Sequence, residues 1–261
     1  MSLDQPSKFV KHQSVTRDAF LGGRITLSQP EKGFRAGLDS VLLGAAVSRG
    51  ARNLLDLGAG VGTAALVALA LGRTERATLA ERDETALELA SRNIADNGFS
   101  ERAGIVRVDV TAGGTERRAA GLPDNAHDAV IANPPFFVAG QGTLAEGDQR
   151  ANARHMSGEA LDQWVRCAAA SASAGGEAIF VYPAEGLAGL LAAFDKRFGG
   201  VTILPLTPRP GSPASRVLLR GFKGSRTPLT LLASRPLHGA DGNGFSADFD
   251  AIFRGEAALD W

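Results

Sequence analysis

The apolar run Leu54-Leu55-Asp56-Leu57 ends in three alternating glycines, Gly58, Gly60 and Gly62, and passes directly into TAALVALAL. A strand, a glycine-rich turn and a helix in immediate succession constrain the fold more than any other stretch of this chain. Glycine lifts the Cβ barrier to positive φ and lets main chain touch a bound group, and the open amides of the next helix lie close by. The alternation recurs as ATLAE before DETALELASRNIADNG, then GIVRVDV, HDAVIAN, and LDQWVRCAAASA before GEAIFVY. Strands alternating with helices imply an α/β fold with a parallel sheet. LLDL, AVIA and AIFVY are nearly continuous apolar runs, as strands covered by helices on both faces require. VTILPL and SRVLLRGF are separated only by the Pro-rich LTPRPGSPA, too short for a helical crossover, so an antiparallel hairpin is expected to close the sheet.

Residues 1–35 show little periodicity beyond an extended ITLSQ, and LDSVLLGAAV reads as a short helix with Asp39 as its N-cap. The expected organisation is an N-terminal extension over 1–50, carrying this helix, and one domain over 51–261. Apolar residues at 44% and 28 Lys+Arg against 28 Asp+Glu describe an ordinary globular chain and exclude a polyelectrolyte tail. The single cysteine, Cys167, rules out a disulfide scaffold or a cysteine-based metal site, and beside Trp164 on an apolar helix face it reads as core. The polar start and the lack of a long uncharged apolar run lead to a cytoplasmic expectation with no membrane association. No metal-ligand spacing or Ser-His-Asp arrangement recurs, His12 and His238 carry no spacing signal, and His155 in ARHMSGEA is in reach of a substrate but as a lone histidine reads first as a structural or surface residue.

Two observations select the ligand of the glycine turn. Its glycines alternate instead of following the dinucleotide G-x-G-x-x-G spacing, and Asp56 stands two residues before them, where a carboxylate repels a pyrophosphate. The same carboxylate is compatible with the ammonium and sulfonium of S-adenosylmethionine. Glu81, ending ATLAE, stands where an acid accepts hydrogen bonds from ribose hydroxyls, and Asp109, ending VRVDV, reaches the same sheet edge.

The chemistry is expected one strand further on. HDAVIA runs into Asn133-Pro134-Pro135-Phe136, and Pro134 forces Asn133 into an extended conformation while the prolines contribute no N–H groups. If the Asn133 side-chain oxygen and the Pro134 carbonyl each accept one hydrogen of a planar amino group, its nitrogen is drawn out of conjugation and its lone pair becomes available. Phe136 is placed to stack on the base.

DLGAGVG with Glu81, Asp109 and NPPF resembles the class I methyltransferases that modify planar amino groups. FRAGLDSVLLGA, ANARH, SRVLL and RPLHGADGNGFSADF extend the similarity to the bacterial tRNA adenine N6-methyltransferases acting on adenosine 37 beside the anticodon of a valine tRNA, from about Phe20 to the C-terminus. The resemblance implies a Rossmann-like, mostly parallel seven-stranded sheet in a methyltransferase domain over 51–261, a helix of the 1–50 extension that covers the cofactor, a cofactor site that includes Gly37 and Asp39, and structured RNA, in particular tRNA, as partner, with no obligate protein partner. Leu38 replaces the family's Thr between Gly37 and Asp39, and Phe136 stands where Tyr is frequent. Related Asn-Pro-Pro-aromatic enzymes methylate guanine N2 of rRNA or glutamine N5 of a protein. Only about 50 residues precede the glycine turn, which disfavours the extra domains of those enzymes. A non-catalytic S-adenosylmethionine-binding protein is the alternative from another class, and the intact Asn133 motif argues against it.

Charge along the chain is less even than its sum. From Arg197 to Ala240 stand Arg197, Arg209, Arg216, Arg220, Lys223, Arg226 and Arg235 with no acid, and the first 35 residues carry six Lys or Arg against three acids. These segments are expected either to face RNA phosphates or to pair with acids such as Asp241, Asp248 and Asp250.

Overall fold

The computed structural model describes residues 14–31, 35–135 and 158–261. Strands β1 (Val15–Phe20) and β2 (Ile25–Pro30) form a separate antiparallel hairpin, which leads to helix α1 (Leu38–Ala45). The repeated units follow: β3 (Ala51–Leu57), α2 (Thr63–Ala70), β4 (Thr74–Glu81), α3 (Glu84–Asp96), β5 (Ala103–Arg107), α4 (Gly114–Ala119) and β6 (His127–Ala132). Beyond residue 157 come α5 (Gly158–Ser171), β7 (Ala172–Pro183), α6 (Leu187–Asp195), β8 (Phe198–Thr207) and β9 (Arg216–Lys223), then the two-residue strands β10 (Thr230–Leu231) and β11 (Arg235–Pro236), and α7 (Ala247–Phe253).

Among the described residues the main sheet has nine strands in the order β10-β8-β9-β7-β6-β3-β4-β5, with β11 also beside β8. Seven long strands match the expected sheet; the short β10 and β11 add to it because the chain after β9 returns along the outer edge of β8. β3, β4, β5, β6 and β7 run parallel, and β9 lies antiparallel between β7 and β8, the hairpin anticipated from the short Pro-rich loop. The strand order reverses between β3 and β6, both starting points for connections to opposite sides, and open α/β sheets bind ligands at such a point, beyond the carboxyl ends of the strands.

Side chains alternate across the sheet. Leu54, Leu79 and Ile131 pack in one core with α1, α2, α7 and the β1–β2 hairpin, whereas Leu55, Leu57 and Val130 pack in a second with α5 and α6. Asp56, sharing the face of Leu54, is therefore turned toward α2 and is 3% exposed. Helix α1 sits directly on α2: a Cβ at Gly44 would lie 2.3 Å from the Ala64 carbonyl oxygen, so only glycine permits this approach. The helix starts at Leu38 with Gly37 as its N-cap, and Asp39 lies in the first turn instead of capping it. Its carboxylate there suits the positive end of the helix dipole. Cys167 is fully buried beside Trp164, as its helix face implied, and burial pushes its thiol up to about 11.

Candidate ligand and catalytic site

The strand register builds the site. Leu57 pairs with Ala80 on one side and Ala132 on the other, so the residues that follow each strand position, Gly58, Glu81 and Asn133, emerge side by side at one sheet edge. Gly58 and Gly60 have φ of +63° and +56°, which turn the chain back toward α2. At Gly58 the close approach also excludes a side chain, since a Cβ would stand 2.4 Å from the Trp164 ring.

Two adjoining cavities open at this edge. The first, about 320 Å³, lies between the glycine turn, α1 and the start of α3, and its walls include Ser40, Asp56, Gly60, Thr63, Glu81 and Asn133. The second, about 570 Å³, is walled by Glu81, Asp109, Thr111, Pro135, Gln163 and Trp164, among others. Gly58, Gly60, Glu81, Asp83 and Asn133 belong to both, so the two form one continuous cleft with Asn133 at the junction.

Its polar groups are unevenly satisfied. Asp56 accepts the Ala65 amide at 3.1 Å, yet complete burial, aided by the nearby negative Glu81, pushes its carboxyl up to about 7. Glu81 accepts the Gly60 amide at 3.0 Å and the Arg82 and Asp83 amides at 2.7 and 2.9 Å. Asp109 lies two residues past the end of β5 instead of on it. Partial burial opposes its ionisation, but the Thr111 hydroxyl and amide at 2.6 and 2.9 Å and Arg82 at 3.2 Å hold its carboxyl below the usual range. Among the described residues, Asn133 Oδ1 and Thr63 Oγ1 are buried without a hydrogen-bond partner. A buried acceptor left unpaired costs about 1–3 kcal/mol, so two such atoms in one cleft mark places where a ligand supplies the missing partner.

Of the residues expected from sequence, Asp56, Gly58, Gly60, Glu81, Asp109, Asn133 and Pro135 are brought together on the cleft walls. Pro134 is buried behind them. Gly37, Asp39 and Gly62 are not on either wall. Gly62 instead abuts Leu79, and Asp39 pairs with Arg216 at 3.0 Å. Phe136, like His12 and His155, lies outside the described residues. Thr63 escaped the sequence reading, although a hydroxyl directly after Gly62 at the head of an otherwise apolar helix was a usable signal. Gln163 and Trp164 reach the cleft from α5, for which no local signal existed.

The profile of the methyltransferase small domain matches residues 38–181, more than half of the chain. The chain belongs to the methyltransferase small-domain family. A tRNA1(Val) (adenine(37)-N6)-methyltransferase of Aeromonas hydrophila subsp. hydrophila is 31% identical to this methyltransferase over 196 residues, 73% of this chain and 77% of that one. The enzyme of the same name from a Flavobacteriaceae bacterium (strain 3519-10) is 32% identical over 115 residues, and there the match spans about half of the relative, 46%, and 44% of this chain. Among solved structures, a predicted O-methyltransferase from Agrobacterium tumefaciens has 34% identity and a TM-score of 0.70, covering 85% of this chain and 98% of its own.

Four cations of the basic segment have partners within the fold. Arg197 makes a double hydrogen bond to Asp162 at 2.8 and 2.9 Å. Arg209 holds the Gly239 carbonyl and the Asn243 side chain, and Lys223 binds the Asn125 side chain and the Ala172 carbonyl. Arg220 lies between the rings of Phe222 and Trp261, 5.2 and 4.4 Å from their centres. These cations are used inside the fold, on partners other than Asp241, Asp248 and Asp250; Asp250 itself pairs with Arg254. Among the described residues no group of three or more His, Cys, Asp or Glu is placed to hold a metal ion, and no helix is long and apolar enough to cross a membrane.

Proposed function

We propose that this methyltransferase transfers a methyl group from S-adenosylmethionine to the exocyclic N6 of an adenine in structured RNA, in particular tRNA. The observation that carries this reading is the buried Oδ1 of Asn133, without a partner among the described residues, where the two cavities meet. An amino group of a base arriving in the second cavity supplies the hydrogen that this oxygen lacks, and the Pro134 carbonyl takes the other. With both hydrogens held out of the ring plane, the nitrogen lone pair is freed for attack, and after transfer the surplus proton leaves to water.

The cleft also suits the donor. Among the described residues Asp56 is a buried carboxyl whose ionised form lacks a cation, Glu81 Oε2 keeps one lone pair for a ribose hydroxyl beside the Gly60 amide it accepts, and the buried Thr63 hydroxyl has no polar partner. S-adenosylmethionine supplies a methyl group on a positively charged sulfur that departs as a neutral thioether, chemistry that calls for no metal. Asp109 and Thr111 would meet the far end of the donor, and the segment ahead of β3 would serve as its cover, with Ser40 and Leu43 of α1 on the cavity wall. A base in an anticodon loop is already unpaired, so bringing it to Asn133 costs less than extrusion from a duplex. Such a substrate places the enzyme in the cytoplasm.

The test is incubation of the purified protein with methyl-labelled donor and total tRNA from a strain lacking the enzyme, followed by digestion to nucleosides. Labelled N6-methyladenosine supports the proposal. Label in a ribose-methylated nucleoside or in N2-methylguanosine overturns it, as does labelled protein with no labelled RNA.

A further inference from the structure

The outer edge of β2 is closed by a helix, and one of the two side chains that close it also reaches the glycine turn. Asn97 Oδ1 accepts the Thr26 amide at 2.9 Å and its Nδ2 donates to the Thr26 carbonyl at 2.9 Å. Four residues earlier, Asn93 Oδ1 accepts the Ser28 amide at 2.7 Å and its Nδ2 donates to the Ser28 carbonyl at 3.1 Å. Two carboxamides therefore act as a surrogate β-strand. Their spacing fits because four residues of helix rise about 6 Å and two residues of strand about 6.7 Å.

The two asparagines differ in burial and in the use of the second Nδ2 hydrogen, which in half-buried Asn97 goes back to the Asn93 carbonyl at 2.7 Å. Asn93 is fully buried, and its second Nδ2 hydrogen goes to the Val61 carbonyl at 3.0 Å, on the glycine turn. Val61 stands on the wall of the first cavity, and Pro30, two residues beyond Ser28, stands on another part of that wall. Between them, buried Gln29 accepts the Ala36 amide at 2.8 Å, and Ala36 is also on the wall. A chain of hydrogen bonds thus runs from the glycine turn through Asn93 and the hairpin to the segment that enters α1.

We propose that Asn93 is a positioning residue for the methyl donor, setting the separation of the two walls of the first cavity by holding Val61 and Ser28 at once. Asn97 makes the same strand-like contacts without touching the glycine turn, so it fastens the hairpin but leaves the cavity width to its neighbour. The inference rests on the reading of this cavity as the S-adenosylmethionine site.

The experiment compares Asn93→Ala and Asn97→Ala with the unaltered protein, measuring donor affinity by calorimetry, thermal stability, and kcat and KM with tRNA. Asn93→Ala is expected to raise the Kd and KM for S-adenosylmethionine by about 10-fold or more while kcat at saturating donor and the KM for tRNA stay within about twofold. Asn97→Ala is expected to lower Tm and leave the donor Kd within about twofold. A donor Kd unchanged in Asn93→Ala, or Kd changes that follow the loss of Tm equally in both variants, overturns the positioning role. If Asn93→Ala does not fold, amide exchange of the unaltered protein decides. Saturating donor is expected to raise protection of the Ser28 amide and leave that of Thr26 unchanged, and equal or absent changes refute the proposal. Failure of the unaltered protein to bind S-adenosylmethionine instead removes the donor reading, and this inference with it.

Discussion

The Glu81 carboxylate and the Gly60 amide are joined at 3.0 Å across the glycine turn, so the acid that ends β4 also holds the loop that follows β3. Because the same side chain caps its own strand end, it does two jobs, and its variants separate them. Glu81→Gln keeps the shape and loses the charge, and is expected to weaken S-adenosylmethionine binding by about 1–3 kcal/mol with little change in Tm. Glu81→Ala should lose Tm as well, because the Gly60 amide is left without its acceptor. Calorimetry giving donor affinity unchanged in both variants would take Glu81 out of the ligand site.

Asn133→Ala is expected to lower turnover by about 100-fold or more and leave donor affinity within a few-fold, because the acceptor is used mainly as the amino nitrogen changes shape. Among the described residues no hydrogen bond to Oδ1 exists to be lost, so Tm should hardly move. Turnover near that of the unaltered enzyme would sink the assigned role.

Asp56 makes stability depend on pH in the direction opposite to a paired carboxylate. Its folded value, about 7, lies above the ordinary 3.8, so its contribution is fully present below about pH 4 and is lost as pH rises through about 7. Asp56→Asn removes this dependence and should gain stability relative to the unaltered protein between those limits. A cationic ligand restores the ionised form, so donor affinity should rise with pH over the same window. Urea unfolding at pH 5 and pH 8 checks the first point, and a difference between the two proteins that is constant with pH refutes it.

Arg220→Glu places a second carboxylate beside buried Glu177 and removes the cation stacked on Trp261. Loss of several kcal/mol of stability is expected, on the order of 3–5 for breaking a buried charge arrangement. The salt dependence of tRNA binding by the folded fraction should be unchanged, whereas loss of a phosphate contact would reduce its slope by about one. A reduced slope with unchanged Tm would return Arg220 to the RNA surface.

Much of this fold is written locally. The glycine turn needs positive φ, NPP needs an extended chain, apolar runs in strands need two covered faces, and a nine-residue Pro-rich loop leaves only a hairpin for β8 and β9; each follows from a few adjacent residues. The elements that the sequence reading passed over lack such marks. β1 is six residues of alternating exposure that become a strand only by pairing with β2, and α4 is a six-residue polar helix without a side-chain cap. LAGLLAAFD, apolar almost throughout, gives no clear period until α6 packs on α5.

The site divides in the same way. By itself the sequence determined which residues end the strands, and hence that Asp56, Glu81 and Asn133 would meet at one edge, since parallel strands in register leave no other arrangement. Tertiary structure alone decided where each charge is spent. Asp39 and Arg216, 177 positions apart, became an ion pair; Trp164 came to press on Gly58; Asn93 came to join Ser28 to Val61; and Arg197 found Asp162. Backbone preference is short-ranged and can be read from neighbours, whereas the partner of a long polar side chain depends on the packing of every element between them.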